Sequence, residues 1–194
     1  MQMPNDFLAP LASLASQPAV LVLVALLIVA AVIDVRTYRI PNWLTVGGMA
    51  FGLIYNTAAA SSWTDGLSGA AAGLGLGLAV LLPVYLLRVM GAGDVKLMAM
   101  VGAIVGFPDI LHAVLYSLIV GGVAAVGFAL HRRAFRRMSE NVFDIVQSMA
   151  FAAMVGNRPT PALSGRASIG KLPYGVSIAG GTIAWLAARL FGVA

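Results

Sequence analysis

Residues 19–37, AVLVLVALLIVAAVIDVRT, decide the fold. From Ala19 to Ile33 no side chain is charged and nearly all are aliphatic. A hydrophobic stretch approaching roughly 20 residues crosses a bilayer as a helix, which satisfies its own backbone hydrogen bonds where no water can. The run ends at Asp34, and Arg36 and Arg39 follow it. Five further hydrophobic segments lie at about 43–60, 66–89, 94–107, 109–131 and 173–191. The 194 residues are 60% hydrophobic and 10% charged, with a mean hydropathy of +0.94, far too apolar for a soluble domain of this length. The reading is all-α: residues 1–194 form one polytopic membrane helix bundle of about six transmembrane helices. The fourth segment is short for a full crossing, and Pro108-Asp109 predicts a tight turn between it and the fifth.

Charge sets the expected orientation. The linkers after the first, third and fifth segments hold eleven of the twelve Lys and Arg residues, with Arg189 alone near the opposite side. The positive-inside rule puts those linkers in the cytoplasm and both termini outside, in the periplasm. Residues 1–18, which contain no Lys or Arg, are expected to be an outer tail, and Asp6, Asp65 and Asp109 fall on the same side. Residues 132–172 make the one long cytoplasmic loop. Within it Val142, Phe143, Ile145, Val146, Met149 and Met154 recur at helical spacing opposite Glu140, Asp144 and Gln147, predicting an interfacial amphipathic helix flanked by arginines.

Composition also excludes chemistry. Without cysteine there is no disulfide framework, zinc ribbon, iron–sulfur cluster or thiol nucleophile, and no metal or other cofactor is expected. The net charge of +5 is not arranged as an aromatic-interleaved basic surface, so nucleic acid is not an expected partner. The basic residues read as topology signals and contacts to anionic lipid.

Two acids stand out. Asp34 closes the first segment and Asp94, in VMGAGDVKLMAM, opens the fourth. A carboxylate facing hydrocarbon is costly unless protonated, paired or hydrated, which makes such residues functional candidates. The first and fourth segments run in opposite directions, so both acids arrive at the cytoplasmic boundary. When two carboxylates share a site, repulsion makes one hold its proton, and the pair then offers an acid and a base together. Gly91 and Gly93 before Asp94 supply a backbone able to approach a substrate closely or adopt positive φ. Asp94 also fits as a helix N-cap, and a transporter with Asp34 and Asp94 as ion or proton relays is a competing reading, although transporter acids usually sit nearer the midplane. Lys96, two residues beyond Asp94, is a candidate for contacting substrate or tuning that carboxylate. Gly66-Leu67-Ser68-Gly69 matches a short serine-protease string, but Ser68 lies at the outer end of its segment and neither His112 nor His131 offers it a convincing base. Gly69, Gly73 and Gly77, like Gly48 and Gly52, repeat at four-residue spacing and predict close helix packing.

The two motifs Asp34-Val-Arg36-Thr-Tyr-Arg39-Ile40-Pro41-Asn42 and Gly91-Ala92-Gly93-Asp94-Val95-Lys96-Leu97 together resemble the A24 family of type IV prepilin peptidases, the GxGD-type aspartyl membrane proteases. The similarity extends to their order, spacing and the six-segment topology. It implies that Asp34 and Asp94 are the catalytic aspartates of an endopeptidase that cleaves basic leaders from prepilins and pseudopilins at the cytoplasmic face of the bacterial inner membrane. Larger members carry a cysteine-rich methyltransferase region. Nothing in these residues corresponds to it, and N-methylation is not expected. Together with Lys171-Leu172-Pro173-Tyr174-Gly175 opening the last segment, this makes the chain most similar to the short subgroup serving Flp-type (tight-adherence) pili.

Overall fold

The computed structural model describes residues 17–87, 90–131 and 173–191, together with Glu140, Phe143 and Gln147. Six helices are described from end to end: α1 (Pro18–Thr37), α2 (Asn42–Ala59), α3 (Trp63–Leu86), α4 (Ala92–Val105), α5 (Ile110–His131) and α6 (Tyr174–Leu190). No strand occurs among the described residues. The protein is a helical membrane bundle, and the six helices follow the six predicted segments. The amphipathic helix expected in the 132–172 loop lies outside the described residues except at Glu140, Phe143 and Gln147, each helical and exposed. Among the described residues three helices, α1, α3 and α5 through Phe128, are long and apolar enough to cross a membrane.

α4 is the centre. Its 14 residues rise only about 21 Å, well short of a hydrocarbon core of about 30 Å. Short length is tolerated because the helix is wrapped by protein. Val95, Leu97 to Val101, Ala103 and Ile104 are all buried, and α1, α2, α3, α5 and α6 all pack against it. A helix that is apolar all round belongs inside a bundle.

Lipid is as apolar as leucine, so close packing rather than escape from water holds such helices together. The glycine repeats provide that packing. A Cβ on Gly73 would collide with the Gly102 carbonyl, one on Gly77 would lie 2.5 Å from the Met98 carbonyl oxygen, and one on Gly52 would lie 2.6 Å from that of Ala103. Thus α2 and α3 touch α4 backbone to backbone. Gly69 differs from its repeat partners: a Cβ there meets nothing within 4 Å, while its carbonyl accepts the Phe107 N–H at 3.0 Å. Asn56 Nδ2 bridges to the carbonyls of Ala103 and Ile104, 3.0 Å from each, tying α2 to the last turn of α4.

Two ends result. The ends of α1 and α3 gather with the starts of α2, α4 and α6. At the other end, Asp109 before α5 forms an ion pair with Arg189 at the close of α6, and Arg189 lies over the Trp185 ring, 5.7 Å from its centroid.

Candidate active site

Asp34 sits one turn before the end of α1. The helix stops because Tyr38 takes the left-handed conformation (φ 51°, ψ 32°) and donates its N–H to the Asp34 carbonyl at 2.8 Å. Thr37 Oγ1 spans the turn, 2.9 Å from the Ile33 carbonyl oxygen and 3.0 Å from that of Arg39. Pro41 then leads into α2 with extended backbone. The Asp34 side chain is only 5% exposed and points toward α6, where its Oδ2 accepts the Gly175 N–H at 2.8 Å. Helix starts leave their first N–H groups without partners and carry partial positive charge. Pro173 gives α6 no side-chain cap, and Asp34 supplies the acceptor from 141 residues away.

Asp94 belongs to the first turn of α4, not to its cap. The helix begins at Ala92, and Gly91 precedes it with an ordinary extended backbone (φ −80°, ψ 155°). The Gly91 N–H donates to Asp94 Oδ2 at 3.0 Å, and the Asp94 N–H donates back to the Gly91 carbonyl at 3.2 Å. Asp94 is 7% exposed. Of the two uses open to these glycines, close approach or positive φ, the second occurs at neither; among the described glycines positive φ is found at Gly106. Gly93 serves close approach instead: a Cβ there would stand 3.1 Å from Ile40 Cβ and 3.4 Å from its backbone nitrogen.

The two acids line one cleft. Asp34, Tyr38, Arg39, Ile40, Gly91, Ala92, Gly93 and Asp94 surround an open cavity of about 230 Å³. Both carboxylates thus face one cavity, Asp34 from the end of α1 and Asp94 from the first turn of α4. Each acid engages one oxygen, Oδ2, with a main-chain donor; Oδ1 of each carries no hydrogen bond among the described residues. Such a pair can hold one proton between two sites and bind water at the unengaged oxygens.

Of the residues singled out from sequence, Asp34, Asp94, Gly91 and Gly93 converge here. Lys96 does not line the cleft, since its Nζ donates to Asn42 Oδ1 at 2.9 Å and so joins α4 to the start of α2. Gly175 reads from sequence as the entry to the last helix, where residues could line the site, and the structure makes it the main-chain anchor of Asp34. A Cβ on it would lie 2.8 Å from Asp34 Oδ2, so no larger residue fits without displacing the acid. Ile40 was legible only as part of a motif; the Pro41 that follows it is the one local signal that its backbone is constrained. Ser68 donates to the Asp65 carbonyl at 3.2 Å, and the His112 ring stacks on Trp185 with centroids 6.3 Å apart, so serine and histidine each have other partners.

Two buried carboxylates, each fixed at a helix start and facing one cleft at the end of an apolar bundle, define a membrane protein built around a carboxylate pair. Residues 21–126, which include both acids, match the type IV leader peptidase family, and the chain belongs to that family. It is similar to a prepilin leader peptidase/N-methyltransferase of Bacillus subtilis (strain 168), with 36% identity over 125 residues that cover 62% of this chain and 48% of the relative. The chain thus spans about half the length of the curated relative it matches. No solved structure matches it.

Proposed function

We propose that this protein is an aspartyl endopeptidase that removes basic leader peptides from prepilins and pseudopilins, of the Flp type, with Asp34 and Asp94 as its dyad. The observation that carries this reading is that both carboxylates line the same open cleft while each, among the described residues, keeps one oxygen without a hydrogen bond and so open to water or substrate. Membership of the type IV leader peptidase family supports it, as does the relative whose name includes prepilin leader peptidase.

In the proposed reaction the ionised member takes a proton from a bound water, whose oxygen attacks the scissile carbonyl carbon. The protonated member donates its proton to the carbonyl oxygen. The former base then gives its proton to the amine nitrogen while the former acid takes one back from a hydroxyl of the gem-diol intermediate; the C–N bond breaks, a carboxylic acid and an amine are released, and the pair returns to its starting state. The titration belongs to the pair rather than to either residue. Positive charge near the cleft, with Arg36, Arg39 and Lys96 on that side of the sequence pattern, supports a cytoplasmic orientation in the inner membrane and contact with anionic lipid.

The test is co-expression of a candidate prepilin with wild type, Asp34→Asn and Asp94→Asn, following leader removal by size. Asparagine keeps the shape of the acid and its acceptor oxygen but cannot cycle a proton. Loss of cleavage in both variants is the expected result. Cleavage at the wild-type rate in either variant overturns the mechanism.

A further inference from the structure

One residue without a polar side-chain atom touches both helix starts that hold the acids. Ile40, 8% exposed, lies in the turn between α1 and α2. A Cβ on Gly93 would stand 3.1 Å from Ile40 Cβ, and a Cβ on Gly175 would stand 3.0 Å from Ile40 Cδ1. Ile40 therefore fills the gap between the first turn of α4 and the first turn of α6. Those same turns hold the carboxylates: Gly91 N–H binds Asp94 Oδ2, and Gly175 N–H binds Asp34 Oδ2. Ile40 also follows Asp34 by six residues on the same short stretch, so the α1 end, the α4 start and the α6 start all meet at it.

We infer that Ile40 is a positioning residue that sets the separation of the Asp34 and Asp94 carboxylates. The inference rests on the dyad reading given above. Its side chain suits the task because a β-branched residue is stiff at χ1, and both neighbours are glycines that present bare backbone to it. Shortening the spacer lets the α6 start settle toward α4 and carries Asp34 with it through the Gly175 N–H. A dyad must hold its water and the scissile carbonyl in one geometry, and misplacement by about 1 Å costs on the order of 10²-fold in rate.

The experiment uses the full chain reconstituted in vesicles of phosphatidylethanolamine and phosphatidylglycerol, with a synthetic prepilin as substrate. Ile40→Ala, Ile40→Val and Ile40→Leu are compared with wild type for kcat, KM and thermal unfolding. Valine keeps the branched Cβ against Gly93 and loses the atom facing Gly175; leucine keeps reach toward Gly175. The expected result is a fall in kcat of about tenfold or more in Ile40→Ala, a smaller fall in Ile40→Val and partial recovery in Ile40→Leu, with KM within about twofold throughout. Should Ile40→Ala fail to fold, Ile40→Val decides. An unchanged kcat in the folded variant overturns the inference, as does a change confined to KM, which would make Ile40 a substrate contact. A loss that simply follows thermal stability across the three variants overturns it too. Asp34→Asn runs alongside: wild-type cleavage there removes the dyad reading itself, whereas an inactive Asp34→Asn beside a fully active Ile40→Ala removes only the role of Ile40.

Discussion

Replacing Gly175 by alanine tests how the last helix serves the site. The added Cβ would lie 2.8 Å from Asp34 Oδ2 and 3.1 Å from its Cγ, whereas ordinary contact begins at 3.4 Å. The carboxylate must therefore withdraw by about 0.6 Å, which stretches its 2.8 Å bond from the Gly175 N–H to the edge of hydrogen-bond range. A hydrogen bond to a charged group contributes about 1.5–3 kcal/mol, so its loss in the reacting geometry corresponds to roughly a 10- to 150-fold fall in kcat/KM. Helix preference acts the other way, since alanine is favoured over glycine by about 0.4–1 kcal/mol where its backbone fits. Activity should accordingly fall much more than thermal stability. The measurement is the initial rate of leader removal by the purified protein in lipid vesicles, with unfolding followed in parallel. Gly180→Ala on the same helix is the control, because a Cβ there meets only Val120 Cγ1 at an ordinary 3.6 Å. Cleavage by folded Gly175→Ala within about twofold of wild type, a difference of only about 0.4 kcal/mol, would refute the reasoning.

Three other outcomes are expected. Asp94→Ala removes the acceptor for the Gly91 N–H at the start of α4 and should cost about 0.5–2 kcal/mol of stability, while Asp94→Asn keeps an acceptor and should unfold close to wild type; equal losses would show that this bond does not hold the helix start. Lys96→Met breaks the bond to Asn42 yet leaves the cleft lining intact, so cleavage should change by less than about tenfold; a loss as deep as that of Asp94→Asn would bring Lys96 back into the chemistry. Gly73→Ala forces a Cβ against the Gly102 carbonyl and should destabilise the bundle by about 1–3 kcal/mol, whereas Gly69→Ala meets open space and should be nearly neutral; equal thermal shifts in the two would contradict the backbone contact between α3 and α4.

Much of this protein follows from segment length and charge alone. Runs such as Ala19 to Ile33 must be helical, because a backbone in hydrocarbon has only itself to bond to. Counting segments brings Asp34 and Asp94 to one end of the bundle, since successive crossings reverse direction. Gly91-Ala92-Gly93 fits a loop or a helix equally well by sequence, because glycine accepts both; in the fold Gly93 packs against Ile40 in the first turn of α4, and Asp94 is a first-turn acceptor. Only the tertiary structure assigns Asp34 to the Gly175 N–H, Lys96 to Asn42, and Ile40 to the gap between two glycines. The reason is physical. In a soluble helix the buried face announces itself by its polarity, but a membrane helix is apolar on every side. Leu27 is fully buried and neighbouring Ile28 is 52% exposed, although both are plain aliphatic residues in the same run. Composition therefore determines that these helices lie in the bilayer, and the close fit of bare glycine backbone decides which of their faces meet.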